Sequence, residues 1–221
     1  MKRLGLIAAL LVSGPSAFAG DGKSSVSYDI NVNLLQHMSS TVETKTDGKT
    51  DEQKQTSMAT SPRDLYIGIY LDKLYIYLYP QTQGYFGVGY GVMPNLEVGL
   101  GLGINSTTLD KPKNEESSTM VNVYTTYTQP IGKPKMEFTL LLGSTTSTTE
   151  TAAAEGEPNV KTETKGTDVT LGAVYVHPIC DGVNYTFGLW YSQTSSEETE
   201  AKIDTSSSSL TVNLAGLRLD F

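Results

Sequence analysis

The segment from Gly84 to Ile104 constrains the fold more than any other part of the chain. Its first half alternates apolar side chains, such as Phe86 and Val88, with glycine, and the pattern resumes at Leu96. Side chains in a strand alternate between two faces, so the segment predicts two strands that each have one apolar face. Pro94 lies between them, where a strand interior does not accept proline, and the segment is therefore predicted to be a hairpin.

The opposite face of this hairpin is a stripe of glycine, neither charged like a solvent face nor bulky like a sandwich core. Glycine inside a strand usually marks tight curvature or the close approach of a large group. We therefore expect rings of the preceding strand to cover the stripe, which would bring Tyr75, Tyr77 and Tyr79 over Gly87, Gly89 and Gly91.

Residues 1–19 have the pattern of a secretory signal peptide. A basic start at Lys2 and Arg3 precedes an apolar run, and Ala17-Phe18-Ala19 gives a cleavage pattern before Gly20. The mature chain is then predicted to be one domain, residues 20–221. No other stretch is long and apolar enough for a membrane helix.

Charge and cysteine content argue against several classes of function. The chain has 24 acidic and 16 basic residues, and two of the basic ones lie in the leader. Nucleic acid is therefore not an expected partner, because its binding depends on Lys and Arg at phosphates. A single cysteine, Cys180, cannot form an internal disulfide, and no Cys/His cluster indicates zinc. No motif indicates a cofactor.

The period-two alternation recurs along the whole mature chain, and the connections between the runs fall into two kinds. Short turns alternate with polar segments rich in Thr and Ser, most of which are long. A chain that runs up and down places every second connection on the same side, so short turns and long loops are predicted at opposite ends. The polar segments predict either solvated loops or polar extensions of the strands. They are 39–63, 80–83, 105–118, 144–165 and 192–209.

The number of strands depends on the segment before the glycine hairpin. Leu71 and Leu74 flank the two residues Asp72-Lys73, as facing positions do in a two-residue hairpin. A hairpin here gives ten strands, which we favour, whereas a structured loop gives eight. In the hairpin the tyrosines share the face opposite the leucines; they are Tyr66, Tyr70, Tyr75, Tyr77 and Tyr79.

Together, the leader, the alternating hairpins and the C-terminal sequence resemble the small outer-membrane β-barrels of Gram-negative bacteria. The end of the chain, with Leu217, Leu219 and the terminal Phe221, resembles the signal that the barrel-assembly machinery reads in this class. The resemblance implies a closed, antiparallel, up-and-down transmembrane β-barrel in outer-membrane lipid. The apolar phase slips near Ala215-Gly216, which predicts a β-bulge at that point.

In such a barrel the non-apolar face lines the lumen. The tyrosines named above then form an aromatic row, which either fills a narrow interior or offers a wall to a sugar-like solute. Charged residues are expected to gather toward the turn end of the lumen, with an Asp29–Arg218 contact, shared with Glu137 or Glu97, where the first and last strands meet. This contact either secures closure or gates a small conduit. The predicted cluster consists of Asp29, Glu97, Glu137, Arg218 and Asp220.

The sequence therefore predicts a structural barrel or a narrow passive conduit. The alternative is a surface adhesion or recognition protein that acts through the acidic Thr/Ser-rich segments. An enzyme is not expected, because His37 has no Asp-x-Asp or Asp-x-His companion and His177 lies at the turn end.

Overall fold

The computed structural model of the chain describes residues 26–46, 49–59, 63–79, 85–110, 113–151, 160–198 and 203–221. The predicted signal peptide and the turn at 80–83 lie outside the described residues. Within these ranges there is no helix with the length and apolar character needed to cross a membrane. The strands are β1 Val26–Thr46, β2 Lys49–Ala59, β3 Arg63–Leu71, β4 Leu74–Tyr79, β5 Tyr85–Met93, β6 Leu96–Asp110, β7 Lys113–Pro130, β8 Lys135–Thr151, β9 Val160–Cys180, β10 Val183–Glu198 and β11 Ile203–Asp220.

The strands form one antiparallel sheet that closes on itself. From β3 to β11 each strand pairs with the next one in chain order, β1 pairs with both β2 and β3, and β11 pairs with β1 to complete the cylinder. At the seam the backbones of Tyr28 and Phe221 exchange two hydrogen bonds, of 3.0 and 2.8 Å. The closed up-and-down barrel predicted from the sequence is confirmed.

The barrel has ten wall positions, as favoured from the sequence. β3 pairs with residues 26–33 of β1, which we call its lower part, and β2 pairs with residues 36–46, its upper part. β2 and β3 therefore occupy the same position in the barrel wall, one above the other. β3 and β4 form the predicted hairpin, in which Leu71 lies opposite Leu74. Asp72 occupies its turn with φ of 57°, a conformation that Asp tolerates better than most residues.

The polar segments form strand extensions within the described residues, which is one of the two alternatives that their composition left open. β1 and β9 each run for 21 residues, and their upper parts consist mostly of Thr, Ser, Glu and Lys. The apolar alternation ends where both faces become polar, but pairing continues because Thr favours extended backbone and each strand has a partner. The wall is lowest at β4, which has six residues.

The distribution of side chains is the reverse of that in a soluble protein. Large apolar side chains point outward, and Leu100, Leu171 and Ile104 keep 61%, 52% and 57% of their area exposed. Among the described residues, only Tyr124 and Val176 are buried members of the hydrophobic class. The buried polar and charged residues are Asp29, Asn31, Asn33, Asn122, Thr186, Asn213 and Arg218.

A β-bulge in β11 corrects the phase of the last strand. Between Gly216 and Asn213, three steps of β11 face only two steps of β10, from Thr186 to Gly188. The extra residue lets Asn213 and Arg218 both face the lumen although their numbers differ in parity. The bulge predicted near Ala215-Gly216 is confirmed, and it keeps Leu214 on the outer surface, 36% exposed.

Candidate functional site in the barrel lumen

An ion-pair network crosses the lumen between β11 and β8. The guanidinium of Arg218 donates two hydrogen bonds to the carboxylate of Glu137, from Nη1 to Oε1 at 2.6 Å and from Nη2 to Oε2 at 2.8 Å. Lys135 Nζ lies 2.9 Å from Glu137 Oε1. The bidentate pairing of Arg218 with Glu137 fixes the direction of these two side chains, because two parallel hydrogen bonds hold the guanidinium and the carboxylate in one plane.

Asp29 is the second acidic neighbour of Arg218. Its Oδ2 lies 3.8 Å from Arg218 Nε and accepts a hydrogen bond of 3.0 Å from the Tyr66 hydroxyl. The expected contact between the first and last strands is therefore present, although Glu137 makes the shorter one. Two acids and two bases make the network formally neutral, with Lys135 at its edge.

Glu97 of the predicted cluster lies apart from this network. Its two carboxylate oxygens accept hydrogen bonds from tyrosine hydroxyls, Oε2 from Tyr77 at 2.9 Å and Oε1 from Tyr124 at 2.7 Å. Neither partner carries a positive charge, so the negative charge of Glu97 is bonded but not neutralised. Asp220, nearer the turns, accepts a hydrogen bond of 2.8 Å from Asn184.

The five tyrosines of the predicted row all line the same interior space. Their rings contact one another mostly edge to face, for example Tyr70 with Tyr75 at 5.0 Å between centroids. The row continues onto other strands, through Tyr79 with Tyr85 at 4.9 Å and Tyr77 with Tyr124 at 6.0 Å. The rings therefore form a continuous aromatic surface on one side of the lumen.

The packing over the glycine stripe differs from the expected pairing. A side chain at Gly99 would overlap the ring of Tyr124, and one at Gly101 would overlap Tyr85. Of the expected contacts, Tyr75 lies close to Gly91 and Tyr77 lies beside Gly87, whereas Gly89 is covered by Tyr124 and Glu97. The main cover comes instead from β7 and from the stripe's own strand β5, because the stagger between strands moves each ring away from the residue directly opposite.

The wall formed by β10, β11 and β1 carries several buried polar side chains. Asn31 and Asn213 are each 7% exposed, and Thr186 is 3% exposed. Among the described residues, Asn31 Oδ1, Asn213 Oδ1 and Thr186 Oγ1 have no hydrogen-bond partner in the protein. The sequence showed these residues only as members of a non-apolar face, and their alternation with apolar residues was the available signal.

These groups surround a cavity of about 600 Å³. Its lining extends from Pro94 and Asn95 at a short turn to Trp190 in the middle of β10. Arg218, Glu137, Asp29 and Glu97 all contribute to it. The structure thus brings the predicted charges and the tyrosine row into one space. Sequence reasoning did not single out Asn31, Tyr85, Asn122, Tyr124, Thr186, Trp190 or Asn213.

The remaining candidates lie elsewhere. Leu217 and Leu219 flank Arg218 on the strand, and Phe221 at its end is 52% exposed. His177 stacks on Tyr175 near the turns, whereas His37 lies opposite Val212 on the upper part of β1. Among the residues that the structure describes, no group of three or more His, Cys, Asp and Glu side chains is placed to hold a metal ion.

No family model matches the chain, and no curated protein matches it. Solved structures with a similar chain path include the outer membrane protease OmpT from Escherichia coli, with a TM-score of 0.48 and 10% identity over 89% of this chain and 96% of that one. Others are Ail of Yersinia pestis, with 0.32 and 12% over 87% and 98%, and OprG from Pseudomonas aeruginosa, with 0.29 and 12% over 90% and 98%.

Proposed function

We propose that this protein is a Gram-negative outer-membrane β-barrel that surrounds a narrow passive conduit. The observation that carries the proposal is the reversed distribution of side chains. Leu100 is 61% exposed while Asn122 is 1% exposed. An exposed surface of this composition is unfavourable in water and favourable in hydrocarbon. In the lower barrel, closure of the sheet gives the backbone of each strand a hydrogen-bonding partner strand on both sides, as a lipid environment requires.

The dimensions of the apolar surface fit a bilayer. Spanning takes roughly nine to eleven residues of a tilted strand, and on β9 the outward positions from Val169 to Ile179 are apolar except for His177. Exposed aromatic rings lie at the turn end, where an interfacial girdle is expected. These include Tyr127, Phe138 and Phe221, which are 42%, 44% and 52% exposed.

The cavity supports the conduit. It extends to the turn residues Pro94 and Asn95 and is lined by hydroxyl, amide and charged groups. A volume of about 600 Å³ holds a chain of water molecules, each of which occupies about 30 Å³ in the liquid. In this proposal the network of Arg218, Glu137 and Asp29 is the narrow element, and the tyrosine row forms the wall beside it.

Conductance across a planar bilayer tests this function. Refolded protein should give small, steady current steps in KCl, and Arg218→Ala should change their size because the side chain that crosses the lumen is removed. Steps that Arg218→Ala leaves unchanged would assign the network to barrel closure alone. Silence from correctly folded, inserted protein would refute the conduit.

A second candidate function is surface recognition by the polar extensions. A concavity of about 530 Å³ lies among β8–β11 and β1. One row of paired residues across it carries charges in the order plus, minus, minus, plus. It consists of Lys45, Asp204, Glu197 and Lys165.

Cell attachment tests the second candidate. Cells that display the protein should bind an immobilised polysaccharide or protein surface, and the double variant Glu197→Gln with Asp204→Asn should bind less. A matched variant, Lys54→Gln, alters an exposed charge on β2 outside the row and should bind normally. Equal attachment by cells with and without the protein would remove this candidate.

Assembly is proposed to depend on the last strand, with Leu217, Leu219 and Phe221 read by the barrel-assembly machinery. Phe221 supports this because its backbone completes the seam with Tyr28, while its ring stays on the outer surface. Phe221→Ala should lower the amount of folded barrel in the outer membrane of cells. A normal amount of folded Phe221→Ala barrel would argue against such a signal.

A further inference from the structure

We propose that the lumen conducts cations in preference to anions, and that Glu97 is the residue that sets this preference. The inference rests on the conduit proposed above and names the class of solute that it carries. It depends on two independent features of the cavity, its charge balance and the chemistry of its unpartnered buried atoms.

The charge balance of the cavity is negative. Asp29 and Glu137 are matched by Arg218 and Lys135, with the closest contacts at 2.6 and 2.9 Å. Among the described residues, the carboxylate of Glu97 has only the hydroxyls of Tyr77 and Tyr124 as hydrogen-bond partners. A fixed carboxylate beside a narrow path attracts cations and repels anions, as acidic rings do in cation channels.

The second feature is the set of buried oxygen atoms on the wall opposite the stripe. Asn31 Oδ1 and Asn213 Oδ1 have no donor among the described residues, and both side chains are more than nine-tenths buried along the cavity. Carbonyl and carboxylate oxygens replace part of the hydration shell of a cation, and they offer nothing comparable to an anion.

The position of Glu97 makes it the controlling residue. Its carboxylate is held by two hydrogen bonds to tyrosines on β4 and β7, so it cannot swing out of the lumen without breaking both. Asp220 lies at the turn end, where its side chain is exposed and bonded to Asn184. Solvent screens an exposed charge more strongly than one inside the barrel, so Asp220 contributes less.

The reversal potential of the channel in a KCl gradient across a planar bilayer tests the inference. The wild-type protein should show a permeability ratio of potassium to chloride of roughly five or more, given the field of one poorly screened charge at a few ångströms. Glu97→Gln keeps the shape and one acceptor for the tyrosines, and it should lower the ratio by roughly threefold. Glu163→Gln, the same exchange on an exposed part of β9, should leave the ratio unchanged.

The outcomes separate the two proposals. Clear channels with no selectivity, with anion preference, or with a ratio that Glu97→Gln leaves intact would overturn this inference and leave the conduit standing. Silent bilayers would overturn the conduit and this inference together. If Glu97→Gln does not fold, the wild-type ratio and Asp220→Asn, which should lower it less than twofold, still decide the question.

Discussion

The lower and upper parts of the barrel share one backbone pattern but differ in almost every side chain. Below, the outer face is apolar and the inner face holds bonded charges, tyrosines and glycines. Above, both faces carry mainly Thr, Ser, Glu and Lys, as on the last half of β8. The strand pairing continues without a break from one part to the other. Backbone hydrogen bonding between strands therefore forms the barrel in both parts. The environment of each part, apolar or aqueous, determines which side chains the strands carry.

The two parts also differ in how charges are held. In the lower lumen, Arg218 is 6% exposed, and both terminal nitrogens of its guanidinium donate hydrogen bonds to the carboxylate of Glu137. In the extension, Lys165 pairs with Glu163 at 3.1 Å, yet both side chains remain well exposed. The same kind of contact therefore has very different energetic weight in the two regions, because burial removes the solvent that otherwise screens it.

The largest effect is expected from Arg218→Met in the lower lumen. Loss of the guanidinium leaves the carboxylates of Glu137 and Asp29 buried with too little positive charge, which should cost about 3–5 kcal/mol. Urea unfolding in lipid vesicles, followed by the fluorescence of the single tryptophan Trp190, measures this. Adding Glu137→Gln should recover part of the loss. A double variant no more stable than Arg218→Met would contradict the role given to this pair.

A matched pair on the outer face of β9 compares the two regions directly. Leu171 and Thr167 are exposed on the same face, four positions apart. Leu171→Arg should destabilise the barrel by about 2–4 kcal/mol, because a charge then faces hydrocarbon. Thr167→Arg should change the free energy of unfolding by less than about 0.5 kcal/mol. Similar losses in both variants, measured in vesicles, would remove the boundary between the regions.

The glycine stripe gives a smaller effect. Gly99→Ala would push a methyl group into the Tyr124 ring, which is tied to Glu97, and this should cost about 1–3 kcal/mol. Gly87→Ala is the control, since its nearest neighbours would lie at 3.5 to 3.8 Å, an ordinary contact. Equal stability of the two alanine variants would mean that the ring does not need the stripe.

The smallest effect is expected in the extension. Lys165→Gln removes one partner of an exposed ion pair on β9. It should change the free energy of unfolding by less than about 0.5 kcal/mol, and 1 M salt should abolish even that difference. A loss approaching that of Arg218→Met would show that charges in the extension are as tightly held as those below.

Much of the fold could be predicted from the sequence because the apolar alternation is strong in the lower barrel. The phase around Asp72-Lys73 identified the extra hairpin, and the slip near Gly216 identified the bulge. The upper strands could not be bounded in the same way. Where both faces are polar, the sequence shows no alternation of apolar and polar residues. Only the pairing with a neighbouring strand shows that β1 continues to Thr46.

The sequence predicted which charged residues line the lumen better than it predicted which of their side chains contact each other. The alternation placed Asp29, Glu137 and Arg218 on the inner face, but the bidentate partner of Arg218 lies on a strand that is not adjacent to β11. Such a contact depends on the width of the barrel and on the stagger of its strands. Asn31 and Asn213 were missed because an asparagine on a lumen face has the same sequence pattern whether it is buried or solvated.

An inside-out barrel requires that the apolar face meets lipid while Trp190 points into the lumen. Fluorescence quenching by bromine-labelled lipids tests this most directly, because bromine acts only on rings in contact with acyl chains. Trp190 in the wild-type protein should keep its emission, whereas the tryptophan of Leu100→Trp, combined with Trp190→Phe, should lose most of it. The inside-out barrel would be contradicted if Trp190 were quenched in the wild-type protein while the tryptophan at position 100 of the double variant kept its emission.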